Sequence, residues 1–205
     1  MQIERIYYPV SSLGPGQRVG IWTVGCPHAC YKCSNPELQI SDKTKDIPVN
    51  EILNMVYSIK GKIDGFTITG GEPFIQIKQL YKLVAGLKKI STDILIYTGF
   101  LLENLLSNAT LHIRKIIDLT TVLVDGVYID NFNDGKSLRG SSNQRVHILS
   151  DAYKTVYYKY LQQSRLTQNI MVGNNVISMG LPFQDDKENI AKGMSKKGIK
   201  TYSKE

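Results

Sequence analysis

The chain of 205 residues has three cysteines, and all three lie in one short segment, at Cys26, Cys30 and Cys33. Structural zinc sites and closed iron–sulfur clusters are usually held by four protein ligands. Three thiolates with this spacing can instead hold three corners of a [4Fe–4S] cube and leave the fourth iron open. An open metal position is typical of a site that does chemistry, rather than one that only stabilises a fold.

Two other uses of the cysteines are less favoured by the sequence. Zinc completed by His28 would need a strained ring closure, because His28 lies between Cys26 and Cys30. A disulfide with one free thiol would need an oxidising compartment. However, Met1 leads into residues 2–5 without an apolar signal segment, and no run of 18 apolar residues indicates a membrane span. We therefore expect a cytoplasmic protein whose reduced thiols bind metal.

A Gly-Gly-Glu motif at Gly70, Gly71 and Glu72 is the second candidate for chemistry. Adjacent glycines let a ligand approach the backbone closely. Carbonyl groups at the end of a strand can accept hydrogen bonds from an ammonium group, and Glu72 can fix the local geometry. By itself the motif is more often only a turn. It gains weight because it ends the predicted strand that follows the cysteine segment.

Four short apolar runs, each followed closely by glycine, predict buried parallel strands, because they are rich in β-branched residues and almost continuously hydrophobic. The runs are residues 19–24, 66–69, 94–97 and 121–124. Helical patterns separate the later runs, and the glycines that follow them are 29 and 27 residues apart, the length of a βαβ unit. The predicted fold is α/β, an open partial (β/α) barrel whose ligands bind at the carboxyl ends of its parallel strands.

The C-terminal part of the sequence is less regular. It predicts a strand at residues 145–149, a helix after Ser150 and a β-hairpin at residues 170–179. The expected organisation has three parts: a core of residues 1–149, an extension of residues 150–184 packed on it, and a basic, flexible tail of residues 185–205.

The net charge of +7 does not by itself predict nucleic-acid binding. Five lysines and no acidic residue lie between Ala191 and Lys204, so part of the excess belongs to the tail. No nucleic-acid-binding motif is present, and we do not expect that activity. A basic surface also suits docking of an acidic electron donor.

The C-x3-C-x2-C segment together with the downstream Gly-Gly-Glu resembles the radical S-adenosylmethionine superfamily. Within it, further segments resemble the activating proteins of anaerobic ribonucleoside-triphosphate reductase, and the resemblance extends over about residues 10–149. These segments are Gly-Pro-Gly-Gln-Arg at 14–18, Trp22, Gly25-Cys26, Ser-Asn-Pro-Glu at 34–37, Tyr-Thr-Gly at 97–99, Val-Asp-Gly at 124–126 and Gly-Ser-Ser-Asn-Gln-Arg at 140–145.

The resemblance implies a cofactor set and a reaction. Cys26, Cys30 and Cys33 would bind a [4Fe–4S] cluster, and the turn at residues 70–72 would hold the amino group of S-adenosyl-L-methionine at the open iron. Reductive cleavage would give methionine and a 5′-deoxyadenosyl radical, which in the activating proteins removes hydrogen from a backbone glycine of a partner. The implied partners are a glycyl-radical enzyme, most readily the anaerobic reductase, and a flavodoxin-like or other low-potential electron donor.

Other positions have two interpretations each. Thr98 either contacts ribose or is an ordinary strand-end threonine, and Asp125 either contacts a ligand or belongs to a turn. Asn143, Gln144 and Arg145 either bind the ligand carboxylate or organise their loop. Lys32 stands where many members of the superfamily have an aromatic residue. No catalytic side chain is expected beyond the cluster and cofactor ligands.

Two alternatives to this function stay open at the level of sequence. The same core can act on a different peptide or a small molecule, with the C-terminal extension forming the substrate-specific part. The cysteine segment can also belong to a non-catalytic iron–sulfur or zinc module, such as an electron carrier.

Overall fold

The computed structural model describes residues 1–107, 109–172 and 175–183, together with Asp186, Asn189, Lys192, Gly193 and Lys196. Most of the predicted basic tail lies outside these residues. None of the helices in this part of the chain has both the length and the apolar character needed to cross a bilayer.

A six-stranded sheet in the order β1-β2-β3-β4-β5-β6 forms the centre of the molecule. The four central strands, β2 to β5, run parallel, and the two edge strands are antiparallel to their neighbours. The bounds are β1 Ile3–Val10, β2 Arg18–Thr23, β3 Gly65–Gly70, β4 Ile94–Tyr97, β5 Val122–Asp125 and β6 Arg145–Ile148. A separate hairpin follows, of β7 Thr167–Val172 and β8 Asn175–Gly180.

Four helices cover the outer face of the sheet. They are α1 Val49–Tyr57, α2 Ile77–Leu87, α3 Leu102–Ser107 and α4 Leu111–Leu119. The apolar positions of α2 recur at helical spacing, and its side chains at 80, 83, 84 and 87 are all fully buried. They pack with alternate residues of the strands, such as Ile94 and Ile96 of β4, in the main core cluster. This packing holds the carboxyl ends of the parallel strands at one edge.

The inner face of the sheet is covered by the C-terminal extension. Helix α5, Lys154–Leu161, buries Tyr157 against Leu95 and Val122 of the sheet. The hydroxyl of Tyr157 donates to Asp93 at 2.6 Å, and Asp93 also pairs with the fully buried guanidinium of Arg18 at 2.6 Å. These three buried side chains fill the inner face of the sheet at the end opposite to the carboxyl ends of the parallel strands.

The predicted α/β fold with a partial barrel and a C-terminal hairpin is confirmed, with two details that differ from a purely parallel barrel. The strand predicted at 145–149 is present as β6 but runs antiparallel to β5. The edge strand β1 was not predicted, because Ile3–Val10 mixes buried and half-exposed positions and lacks a continuous apolar run.

Candidate functional site

The cysteine segment follows β2 and folds into a coiled loop at the carboxyl edge of the sheet. Cys26, Cys30 and Cys33 are in no disulfide within the described residues, each is half-buried, and all three line the same cavity. Ala29 and Lys32 adopt left-handed backbone conformations, with φ of 47° and 53°. Such reversals are uncommon outside glycine and coil the short segment back on itself. The loop can therefore present three thiols to one space.

The donor set suits an iron–sulfur cube better than a single metal ion. Within the described ranges, no three His, Cys, Asp or Glu side chains converge to hold one metal ion. The thiolates of a cube bind different irons and need not converge on one point. Burial raises the pKa of Cys26 and of Cys30, so cluster binding has to release protons from these thiols.

The Gly-Gly-Glu turn lies against the backbone of the cysteine loop. The Gly71 amide donates to Thr23 O and the Glu72 amide to Gly25 O, both at 2.7 Å. Gly70 has a φ of +105°, and a Cβ added at Gly71 would lie 2.3 Å from the carbonyl oxygen of Gly25. Only glycine can lie this close to the backbone of the cysteine loop. The cysteine motif and the Gly-Gly-Glu motif, predicted separately from the sequence, are therefore joined in one cavity wall.

The Glu72 carboxylate is buried, with 1% of the residue exposed, and accepts four hydrogen bonds. One oxygen accepts from the Phe74 amide and the Thr98 hydroxyl, both at 2.9 Å. The other accepts from the Gly99 amide at 2.7 Å and faces His28 Nε2 at 3.1 Å. Glu72 thus joins the cysteine loop, the Gly-Gly-Glu turn and the end of β4, and its oxygens are engaged within the chain.

In the structure His28 packs against the end of β4, a role different from the zinc ligand considered in the sequence analysis. Its ring packs edge-on against Phe100 at 4.7 Å between centroids. It also lies so close to Gly99 that a Cβ there would be 2.4 Å from the ring. His28 therefore locks the cysteine loop against the end of β4.

The far rim of the cavity comes from the loops around β5 and β6. Gly126, Tyr128, Gly140 and Gln144 line it. Gln144 joins the two loops, because its side-chain oxygen accepts from the Gly140 amide at 2.8 Å and its nitrogen donates to Gly126 O at 2.8 Å. The loop before β6 thus contributes to the cavity wall through Gly140 and Gln144.

Asp125, Asn143 and Arg145 lie outside the cavity lining. Arg145 places its guanidinium between Asp125, at 2.5 Å, and Glu103, at 2.6 Å. Asn143 donates from its side chain to Val127 O at 2.8 Å. Of the two interpretations given for Asn143 and Arg145, the geometry favours organisation of the loops.

The electrostatics of Asp125 agree with this role. Burial acts to raise its pKa, but hydrogen bonds from Arg145 and the Leu102 amide outweigh burial, so the pKa lies below its usual value. Asp125 is a stable carboxylate that anchors the start of α3 and the start of β6.

Several residues that line the cavity were not singled out as site residues from the sequence, among them Tyr97 and Tyr128. Tyrosines at strand ends are usually core residues, so their type gave no signal, although Tyr97 directly precedes Thr98 and Tyr128 lies two residues after Gly126. Lys32 does not enter the lining; its ammonium pairs with Asp130 at 3.0 Å and ties the cysteine loop to the loop after β5.

Comparison with known proteins adds an independent line of support. Residues 12–147 match the family described as "4Fe-4S single cluster domain". The chain is 32% identical over 152 residues to the anaerobic ribonucleoside-triphosphate reductase-activating protein of Escherichia coli (strain K12), covering 70% of this chain and 96% of that protein. It is 30% identical over 185 residues to the pyruvate formate-lyase-activating enzyme of Staphylococcus aureus (strain USA300), covering 87% of this chain and 68% of that enzyme.

The curled, mostly parallel sheet with a three-cysteine loop at its carboxyl edge defines an iron–sulfur enzyme of the partial-barrel α/β class. More specifically, the chain belongs to the radical S-adenosylmethionine activating family that these relatives represent. The resemblance inferred from the sequence is confirmed.

Proposed function

We propose that this protein cleaves S-adenosyl-L-methionine reductively at a [4Fe–4S] cluster and thereby generates a glycyl radical on a partner enzyme. The observation that carries the proposal is the meeting of the three cysteines and the Gly-Gly-Glu turn in one cavity. Relatives in this family are activators of anaerobic ribonucleoside-triphosphate reductase and of pyruvate formate-lyase. The match covers 96% of the first relative's length and 68% of the second's, which favours anaerobic ribonucleoside-triphosphate reductase as the partner.

Cys26, Cys30 and Cys33 hold the cluster in this proposal, and the turn at residues 70–72 holds the methionine amino group through its backbone. When bound, the cluster supplies the single electron that breaks the sulfonium bond of the cofactor. The chain's own share is orientation and exclusion of water. Thr98 contributes the adjoining wall, and its hydroxyl donates to Glu72 rather than standing free.

Asp125, Asn143 and Arg145 support the cofactor site in this proposal through the loops that they hold. Asp125 fixes the start of α3, while Asn143 bonds to the cavity residue Val127. Their contribution is to the shape of the rim.

Charge and thiol chemistry support a proposal for the electron donor and for the compartment. A net charge of +7 suits an acidic, flavodoxin-like donor, which long-range electrostatics would steer to the protein. Cysteines that must stay reduced for cluster binding suit the cytoplasm.

We also propose that residues 1–149 are the catalytic core and residues 150–184 an extension packed on it. Hydrogen bonds between the two parts, from Tyr157 to Asp93 and from Ser12 to Met179 O, support the packing of the extension on the core. The tail of residues 185–205 stays a prediction, since most of it lies outside the described residues.

An isotope-transfer experiment tests the function. A candidate reductase labelled with α-deuterated glycine is incubated anaerobically with the cluster-loaded protein, a reductant and S-adenosyl-L-methionine. We expect deuterium in the 5′-deoxyadenosine and an electron paramagnetic resonance doublet from the glycyl radical. Nucleoside product without deuterium would mean that the chain acts on another peptide or a small molecule.

A further inference from the structure

Lys32, which directly precedes Cys33 in the cysteine loop, forms an ion pair that the proposed reaction does not use. Its backbone has a φ of +53°, a conformation that is uncommon for lysine and persists where the surrounding structure holds it. The side chain stays outside the cavity lining, and its ammonium lies 3.0 Å from the carboxylate of Asp130. The ion pair therefore reaches from the cysteine loop to the loop that follows β5.

Asp130 is a nearly buried carboxylate with a partner on each oxygen. Its side chain is 6% exposed, whereas the side chain of Lys32 is 51% exposed. One oxygen faces the Lys32 ammonium, and the other accepts from the Tyr128 hydroxyl at 2.8 Å. A buried carboxylate is costly without such partners, so removal of one partner disturbs the loop that carries Asp130.

Tyr128 brings the same loop into contact with one of the three cysteines. Burial raises the pKa of the Cys30 thiol, and a hydrogen bond from the Tyr128 backbone to its sulfur acts against that rise. The loop after β5 thus meets the cysteine loop at two points. One is the ion pair at Lys32, and the other is the Tyr128 amide at the sulfur of Cys30.

The Cys30 sulfur is the point at which the Tyr128 amide acts on a bound cluster. Reduction places negative charge on the cluster and its sulfurs, so an N–H donor at a sulfur stabilises the reduced form and raises the reduction potential. Charged groups act at longer range, a cation raising the potential and an anion lowering it. Lys32 and Asp130 together carry no net charge, so their direct effects on the potential largely cancel.

We propose that the ion pair of Lys32 and Asp130 fastens the loop after β5 to the cysteine loop. It keeps the Tyr128 amide on the Cys30 sulfur and thereby sets the reduction potential of the bound cluster. Both members of the pair are positioning residues, since they act through Tyr128. The inference rests on the proposed function, of which it needs only a cluster held by the three cysteines.

Three variants separate this role from a direct effect of charge: Lys32→Met, Asp130→Ala and the double variant. Redox titration followed by electron paramagnetic resonance gives the midpoint potential of the reconstituted cluster in each. We expect all three to lower it. At the wild-type midpoint potential, the ratio of reduced to oxidised cluster should fall roughly three- to tenfold, as for one lost hydrogen bond.

A direct effect of charge gives a different pattern across the same variants. It would lower the potential in Lys32→Met, raise it in Asp130→Ala and leave it unchanged in the double variant. In Asp130→Ala we expect the lost fastening to outweigh the remaining charge, because water screens the half-exposed Lys32 ammonium. The double variant leaves no unpaired charge in a buried position, so it decides the question if Asp130→Ala does not retain the cluster.

Two further variants are controls. Lys32→Arg keeps the ion pair and should keep the wild-type potential. Lys154→Met removes the cation of another ion pair, formed with Asp151 at 2.7 Å in the C-terminal extension, and changes the net charge by the same amount as Lys32→Met. It should leave the potential unchanged.

The inference is overturned if the double variant keeps the wild-type potential, if Asp130→Ala raises it, or if Lys154→Met lowers it as much as Lys32→Met. It is also overturned if none of the three variants retains a cluster, since the pair would then serve assembly instead. Cleavage of S-adenosyl-L-methionine by the wild type is measured separately. A loaded wild type that does not cleave it would count against the proposed function alone, and a wild type that holds no cluster would overturn both.

Discussion

At the scale of single residues, Glu72 has the most connected position in the site. Its two oxygens accept from four donors on three different segments of chain. A buried carboxylate in this state orders its surroundings and does not need to touch the cofactor to matter. In the Gly-Gly-Glu motif, the two glycines thus allow close approach to the backbone of the cysteine loop, and the carboxylate holds the surrounding segments together.

Glu72→Gln tests this role. The amide nitrogen would face backbone donors, so we expect the free energy of unfolding to fall by about 2 kcal/mol. Cofactor cleavage should fall by about a hundredfold because the reacting groups are displaced. Chemical denaturation and nucleoside assays measure the two effects. Glu37→Gln, an exposed carboxylate after the cysteine loop, is the control; equal behaviour of the two variants would contradict the role.

Asp125 gives a prediction about pH. Its pKa is lower in the folded chain than the value of about 3.9 for an unperturbed aspartate, so its contribution to stability is present above that value and is lost as the pH falls through the folded pKa. Asp125→Asn should therefore flatten the loss of stability below about pH 4. Melting temperatures from pH 6 to pH 2.5 measure it, with exposed Asp118→Asn as control. A parallel decline in wild type and Asp125→Asn would refute the linkage.

At the scale of elements, the site depends on two turns in backbone contact. The loop after β2 and the turn after β3 bond to each other through Gly25 and Glu72. Parallel pairing of β2 with β3, from Arg18 opposite Gly65 to Thr23 opposite Gly70, ends both strands at the same level. The strand register therefore sets the distance between the thiols and the glycine turn.

Gly71→Ala tests this contact, because its Cβ would lie 2.3 Å from Gly25 O. We expect the turn to move away from the cysteine loop, weakening binding of S-adenosyl-L-methionine by at least about tenfold with little change in the circular dichroism spectrum. Gly61→Ala is the control, since a Cβ there meets no atom within 4 Å. Unchanged cofactor affinity in Gly71→Ala would show that the contact is not needed.

The elements also show where sequence reasoning succeeds and where it fails. The parallel strands and the cysteine loop were predictable because their signals are local: continuous β-branched runs, glycine punctuation and cysteine spacing. The pairing of Asp125 with Arg145 was not, because it depends on β6 placing Arg145 directly opposite Asp125 across an antiparallel ladder. Tyr97 was missed for a similar reason, since the lack of a hydrogen-bond partner for its hydroxyl among the described residues is a property of the packed inner face.

At the scale of the whole molecule, the core and the extension enclose the site together. The outer helices hold the sheet, while α5 and the β7–β8 hairpin cover its inner face, and the hairpin reaches the cavity through Gly180. Charge is the other global property. A net charge of +7 gives association with an acidic partner a strong dependence on ionic strength.

Ionic strength therefore tests the proposed electron donor. Reduction of the cluster by an acidic flavodoxin should slow by about tenfold between 50 and 500 mM salt, because screening removes the steering. Stopped-flow absorbance measures the rate. Photoreduction by uncharged deazaflavin is the control and should change little. Equal salt dependence for the two reductants would exclude steering by the protein's charge.

The central claim is that three thiolates hold a cluster that cleaves S-adenosyl-L-methionine, and Cys30→Ala tests it most directly. Anaerobically reconstituted wild-type protein should contain about four irons per chain and form 5′-deoxyadenosine with dithionite. Cys30→Ala should lose both the iron and the product while its circular dichroism spectrum stays close to wild type. Cleavage that survives in Cys30→Ala, or stoichiometric zinc without nucleoside product in the wild type, would contradict the account.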